Sequence, residues 1–440
     1  MNQPLFDPTD GSVSTEIYAS PAIYEHELQS IFGRCWLFLC PSSEVERTGS
    51  FYSTYMGEDP VIVARQRDGG LKVFLNQCRH RGMRVCTADA GVTRTFTCAY
   101  HGWAYGLDGA LASVPHMADA YFNDLDRSRF GLHEAPRVTE YHGLVFATWD
   151  PDAVDFTDYL GDMAWYLDAF LDRWEGGMEA IPGVHKWVIN TNWKLPSEQF
   201  CGDLYHSETT HVSALMALAP DGAKPDEVDP FKSLAGYQFS SPMGHGHGFS
   251  VVEYPDFAGP LVDQYRVASV PAAEARLGYY RARMRGHGTV FPNFSFLSGY
   301  HTVRAWHPRG PGQIEVWAWG LVPKEAPAEV RDAWRKSILQ TFSPAGYIEQ
   351  DDGVNLVEVQ RILAGRQARQ SRFNVAMALG HEQTPSDGFD GPGRVHTSMF
   401  AEMAARGFYS RWAELMHAEP GGQAKSLEQL GAGPEQGATR

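Results

Sequence analysis

Apolar positions along this 440-residue chain change their period more than once. In "STEIYASPAIYEHELQSIFG", residues 14–33, Ile23, Leu28 and Ile31 fall near one helical face after a Ser-Pro turn, which predicts a short helix. From about residue 37 to 155 the pattern turns to short β-type runs: "SFYSTYM", "DPVIVARQ", "LKVFLNQ", "TRTFTC" and "GLVFATWD". Gly, Asp and Pro turns separate them, as expected of an all-β module. Helical spacing returns at 158–176, a strand is expected across "HKWVINTNWKL", and strands resume at "TVFPNFSFLSGYHTVRAWHP" and "GQIEVWAWGLVP". Helices are predicted at about 325–342, 345–365 and 398–416. The Gly-, Pro- and Asp-rich stretch 216–265 predicts long, mobile loops. The Gly-rich polar tail 418–440 is expected to be disordered. The predicted fold class is α+β, with an all-β domain (37–157) inserted between an N-terminal helical part (1–36) and the rest of a larger domain (158–417).

Composition narrows the class. Charge stands at -16, with 37 Lys and Arg against 53 Asp and Glu, which makes nucleic acid and anionic lipid poor partners. The first residues lack the basic and apolar regions of a signal peptide, and no apolar run approaches the roughly 18 residues of a membrane span. A cytoplasmic protein is expected. In that compartment six cysteines (Cys35, Cys40, Cys78, Cys86, Cys98, Cys201) point to metal binding before disulfides.

Four residues of the β module have ligand spacing. Cys78-x-His80 and Cys98-x-x-His101 are short pincers, followed by Gly82 and Gly102, which permit tight turns. A tetrahedral zinc site would use such a set, as would a [2Fe–2S] centre in which two histidines replace two cysteines on one iron. One Cys and one His per arm, ending in His-Gly-Trp, resembles the Rieske proteins and not the Cys2His2 fingers, which pair like with like. The resemblance implies that Cys78 and Cys98 hold one iron, and His80 and His101 the outer one. Arg81, Trp103 and Tyr105 are expected to pack and hydrogen-bond around the cluster. Cys35, Cys40 and Cys86 are expected to be small core residues.

The second constellation is "DLYHSETTH", residues 203–211. Alone it fits either a metal site or a polar helix surface. Positions five apart on a regular helix lie about 140° apart, so sharing an ion would require a distorted helix. The longer stretch "NWKLPSEQFCGDLYHSETTH" resembles the Rieske non-haem iron oxygenases, specifically the large (α) subunit of the aromatic-ring-hydroxylating dioxygenases of naphthalene/biphenyl type. That resemblance implies a helix-grip catalytic domain and a mononuclear Fe(II) bound by His206, His211 and a later acid. "TFSPAGYIEQDDGVNLVEVQ" resembles the family's ligand helix and assigns Asp352, with Asp351 the runner-up. Asp203 would accept hydrogen bonds from His206 and from His101 of the partner subunit, carrying electrons between centres.

Positions matching the family's substrate pocket are Gln199, Phe200, Leu204, Ser207, Phe342 and Ile348, with Cys201 among them. Gln199 stands where asparagine is often found. "GHGHG", 244–248, is expected to be a flexible loop at the pocket mouth. The implied reaction inserts both atoms of O2 into an aromatic ring to give a cis-dihydrodiol. Electrons would come from NADH through a reductase and a ferredoxin, and the assembly would be α3, or α3β3 with a small β subunit. The chain carries no Gly-x-Gly-x-x-Gly fold of its own, consistent with an external reductant. A Rieske monooxygenase would share every metal ligand, whereas a simple electron carrier would lack the second constellation.

Overall fold

The strand-rich pattern of 37–155 and the mixed pattern beyond it belong to separately packed parts of the chain. A computed structural model describes residues 4–218, 236–252, 258–386 and 388–417. Two units emerge: Met1–Glu27 with Val154–His417, and Leu28–Ala153. These seams fall at 27/28 and 153/154, where the hydrophobic pattern had suggested 36/37 and 157/158.

The smaller unit is built from three antiparallel sheets. One joins Leu71–Leu75, Asp59–Arg65, Ser50–Met56 and Ala90–Val92, a second joins Arg137–Tyr141, Leu144–Thr148 and Leu37–Pro41, and a third joins Thr95–Thr97, Ala104–Gly106 and Leu111–Ser113. Its core gathers Phe51, Ile62, Phe74, Phe96, Trp103 and Tyr105 against Cys78 and Cys98, so both cysteines are rooted in apolar packing. Cys35 and Cys40 are buried as expected, but Cys86 is only partly so, at the rim of that core.

In the larger unit, nine strands among the described residues form one antiparallel sheet. Its order is Met178–Ala180, Ile314–Pro323, Thr302–Pro308, Phe294–Leu297, Met284–Val290, Gly246–Val251, Gly236–Ser240 and Arg394–His396, with His185–Ile189 also paired to Ile314–Pro323. Thr302–Pro308 is buried at every position, because both faces of the sheet are covered and no alternation survives. The helix Met403–His417 docks on one face. There Gln238 donates to the carbonyl of Ala401 and accepts from the N–H of Ala404, satisfying groups at the helix start.

Several expectations are corrected. Segment 14–33 is not one helix but a 3-10 turn (Thr15–Tyr18), a helix (Pro21–Glu27) and a π turn (Leu28–Phe32). Tyr24 and Glu27 are buried there, while Ile23 and Leu28 are only half-buried. The strand expected across 185–195 stops at Ile189, and Lys194–Gln199 is helical, its first N–H bonded to Asn192 Oδ1. Within 216–265, residues 219–235 and 253–257 lie outside the described residues, as does the tail 418–440. The remainder is ordered: two strands, Gly236–Ser240 and Gly246–Val251, and the helix Pro260–Leu277. Loop-type composition misled because the glycines serve close packing there. No helix among the described residues is long and apolar enough to cross a membrane.

Glu27 turns inward because it has partners. Its carboxylate accepts from Lys194 Nζ at 2.5 Å, Trp193 Nε1 at 2.8 Å and Trp412 Nε1 at 2.7 Å, and neither Glu27 nor Lys194 reaches solvent. This hub joins the N-terminal helix, the start of Lys194–Gln199 and the last helix. Removing one member of a buried pair strands the other charge. Glu27→Gln is predicted to lower unfolding stability by about 3 kcal/mol, measurable by denaturant or thermal unfolding; an unchanged midpoint would contradict the role of the hub.

Candidate metal centres

Two loops of the smaller unit repeat one hydrogen-bond pattern. Cys78 N–H donates to Met83 O and Gly82 N–H to Cys78 O; likewise Cys98 N–H donates to Trp103 O and Gly102 N–H to Cys98 O. Gly82 and Gly102 sit at φ 76° and 72°, left-handed values that glycine adopts without Cβ strain. The twin loops carry buried Cys78 and Cys98, with His80 and His101 half-buried and their rings 4.5 Å apart. His80 stacks on Trp103 at 5.0 Å with the rings nearly parallel. Tyr105 Oη lies 3.3 Å from Cys78 Sγ and accepts from the N–H of Arg79. Arg81, by contrast, is exposed and acts only by charge: burial first, then His101 and Arg81, hold the His80 imidazole below its usual pKa.

In the larger unit His206 and His211 flank a single helical turn, Ser207–Thr210. His211 leaves helical geometry at φ -97°, ψ 5°, and a new helix, Val212–Leu218, begins beyond it. That break removes the 140° problem. The Nε2 atoms of His206 and His211 lie 3.2 Å apart, and each is 3.3 Å from Asp352 Oδ1. Among the described residues these three form the group whose donor atoms lie close enough to share one ion. An ion about 2.1 Å from each donor would see them separated by roughly 100°. They then occupy one face of a coordination sphere and leave the other face open, as in a two-His, one-carboxylate site. Asp351, the runner-up, has its Oδ2 3.6 Å from His211 Nδ1, behind the ring.

Electrostatics agree with a cation at the centre. Burial alone would raise the Asp352 carboxyl, but His206 and His211 hold it below the carboxylate range. Burial lowers the His206 imidazole, yet Asp203 and Asp352 together push it up to about 10. Asp203 Oδ2 approaches His206 Nδ1 at 3.1 Å, while its side chain stays 36% exposed. Glu198, enclosed and facing Asp203 and Glu402, is pushed up to about 8.

The candidate pocket residues separate into groups. Gln199 belongs with the ligands: its amide nitrogen is 2.9 Å from Asp352 Oδ1 and 3.3 Å from His206 Nε2. Phe200 packs against His287 and Trp306, and Phe342 against Tyr300. Leu204, Ser207 and Ile348 are buried, and Cys201 is fully so, bonded to Ser197 O. "GHGHG" is no flexible loop. His245 accepts from Phe291 N–H at Nδ1, so Nε2 donates to Tyr159 O, and burial pushes its pKa down to about 4. Gly202 and Gly248 touch backbone to backbone; a Cβ on Gly202 would meet Gly248 N at 2.8 Å. The loop carrying Asp203 can therefore lie directly on the sheet.

Sequence reasoning missed His287, whose Nδ1 donates to Phe200 O and which burial pushes down to about 4. It also missed Arg304 and Glu349, a buried ion pair at 2.8 Å. Arg304 left no sequence signal, being one cation in an apolar strand, whereas Glu349 stands three residues before Asp352 and could have been noticed. A hydroxyl facing a cluster sulfur stabilises the reduced, more negative cluster. Tyr105→Phe is therefore predicted to lower the reduction potential of the expected cluster by on the order of tens of mV. A redox titration followed by visible absorbance checks this, and an unchanged or raised potential would contradict it.

Residues 35–134 match the Rieske [2Fe-2S] domain, and residues 156–418 match the ring hydroxylating alpha subunit catalytic domain. The biphenyl 2,3-dioxygenase α subunit of Rhodococcus jostii (strain RHA1) is 47% identical over 94% of this chain and 90% of its own length. The benzene 1,2-dioxygenase α subunit of Pseudomonas putida is 45% identical, covering 94% of this chain and 92% of its own. Naphthalene 1,2-dioxygenase from Rhodococcus sp., solved with indole bound, superposes with a TM-score of 0.83 at 37% identity, over 93% of this chain and 95% of that one. The Rieske match replaces the zinc alternative, and the catalytic match excludes a simple electron carrier. The chain belongs to the α subunits of the Rieske-type aromatic-ring-hydroxylating dioxygenases, which carry a [2Fe–2S] cluster and a mononuclear iron.

Proposed function

We propose that this chain is a terminal oxygenase that adds both atoms of O2 to adjacent carbons of an apolar arene of one or two rings, yielding a cis-dihydrodiol. The observation that carries an oxygenase is the donor triangle of His206, His211 and Asp352, with Gln199 beside it, and the relatives named as dioxygenases favour dioxygenation over monooxygenation. Relatives named for biphenyl and benzene support the substrate class. The mononuclear Fe(II) supplies activation of O2, and the Rieske cluster supplies single electrons delivered from NADH by a reductase and a ferredoxin.

The residues divide the work. His206, His211 and Asp352 hold the iron; Cys78 and Cys98 hold the inner iron of the cluster, and His80 and His101 the outer. Phe200, Leu204, Phe342 and Ile348 offer apolar surface that favours an arene and excludes water. Asp203 keeps one oxygen on His206 Nδ1 and leaves a half-exposed edge for a donor, which we assign to His101 of the partner subunit. A carboxylate between two imidazoles fixes both tautomers and links their protonation. This requires a ring of α subunits, as α3 or, with a small β subunit, α3β3.

Asp203→Asn is predicted to retain both metals while turnover falls by about a hundredfold or more. Iron and sulfide analysis alongside product formation tests this, and normal rates would remove the bridge. Asp352→Ala is predicted to lose mononuclear iron and keep the Rieske spectrum; full iron occupancy would shift the ligand to Asp351. Aerobic incubation of the reconstituted system with one- and two-ring arenes should give cis-dihydrodiols, and monohydroxylated products alone would favour the monooxygenase alternative.

A further inference from the structure

Beneath the ligand triangle lies a buried charge pair that binds no metal. Arg304 stands in the strand Thr302–Pro308 and is completely buried; Glu349 stands in the first turn of the helix Tyr347–Ile362 and is nearly so. Arg304 Nη1 donates to Glu349 Oε2 at 2.8 Å, and Nη2 reaches Thr302 Oγ1 at 3.4 Å. Its guanidinium lies 4.6 Å from the ring centre of Phe200, 5.4 Å from Trp306 and 5.8 Å from Phe342. One cation thus contacts two candidate pocket walls and the helix that presents Asp352.

Glu349 and Asp352 are three residues apart on that helix and share a face. The far half of the helix is tied elsewhere, through Leu356 O to Thr191 Oγ1 and through the Gln360 side chain to Asn192 N–H and Tyr18 O. On the near side of Asp352 the charged tie is Glu349 to Arg304. A carboxylate oxygen carried about 5–6 Å from a helix axis moves by about 1 Å when the helix rotates by about 10°. That displacement is enough to spoil a donor triangle of 3.2–3.3 Å edges.

Desolvation makes a buried ion pair a weak source of net stability, and apolar replacements of both partners are often tolerated. What such a pair does supply is direction: one charge-assisted hydrogen bond from Nη1 fixes where the Glu349 carboxylate lies, while the guanidinium is itself held by Thr302 and the Phe200 ring. We propose that Arg304, acting through Glu349, is a positioning residue that sets the rotation of the Asp352 helix. It thereby sets the affinity of the triad for Fe(II) and ties the ligand to the Phe200 and Phe342 walls. This rests on the reading that His206, His211 and Asp352 hold iron.

The test uses the full-length protein, stripped of mononuclear iron by a chelator and titrated with Fe(II). Thermal unfolding serves as the measure of folding. Arg304→Met and Glu349→Gln should each weaken Fe(II) binding by about tenfold to a hundredfold. Arg304→Lys, which keeps the charge but not the planar group packed on Phe200 and Trp306, should fall between wild type and Arg304→Met. The double variant Arg304→Met/Glu349→Leu removes both buried charges. It should unfold near the wild-type temperature yet still bind Fe(II) about tenfold or more weakly. Wild-type affinity in the double variant would overturn the proposal. So would its failure to fold, which would make the pair a determinant of folding. Asp352→Ala run in parallel separates the two levels. If it binds Fe(II) normally, the triad reading fails; if it loses Fe(II) while the double variant does not, only the positioning role fails.

Discussion

Two imidazole nitrogens and a carboxylate oxygen held 3.2–3.3 Å apart are the constraint around which the larger unit is organised. Such groups do not settle together without a cation, and the two segments that carry them have no covalent reason to meet. The surrounding structure supplies the reason. The His206–His211 segment is a single turn between helix ends, so both rings converge, and its preceding loop rests on the sheet at the Gly202–Gly248 contact. The Asp352 helix is fastened on both sides of its ligand, by Glu349 to Arg304 and by Gln360 to Asn192. Tolerances of tenths of an ångström follow from backbone contact and ion pairing, which are stiff, and not from side-chain packing alone.

Histidines elsewhere in this unit show how metal is directed to one place. His245 has both ring nitrogens committed to backbone groups, and His287 has Nδ1 committed to Phe200 O. Burial pushes both down to about 4, so both stay neutral, and what sets them apart from the ligands is the backbone carbonyl that each one faces. His206 has carboxylates on both sides, Asp203 and Asp352, and is driven the other way, to about 10. The same residue type thus serves as strut or ligand according to whether a carbonyl or a carboxylate faces it.

The smaller unit solves a local problem by local means. Each Cys/His arm is a tight loop closed by its own backbone hydrogen bonds and a left-handed glycine. The cysteines are rooted in the core and the histidines lie toward the surface, so one side of the site is apolar and the other accessible. That asymmetry suits a centre that must exchange electrons with other proteins while keeping its sulfurs from water.

The amino-acid sequence by itself determined whatever is encoded at short range. The β pattern of the smaller unit, the two Cys/His arms, the pair His206 and His211, and the helix carrying Asp352 are each set within about twenty residues, by spacing and turn chemistry. Charged side chains turned into the core broke the apolar period at Glu27, and glycines used for contact mimicked a loop at "GHGHG". Tertiary structure alone decided that Gln199 belongs with the ligands and that Arg304 reaches Glu349. Both depend on which elements lie across a few ångströms of interior, which no local pattern records, since a buried charge is stable only where folding brings its partner.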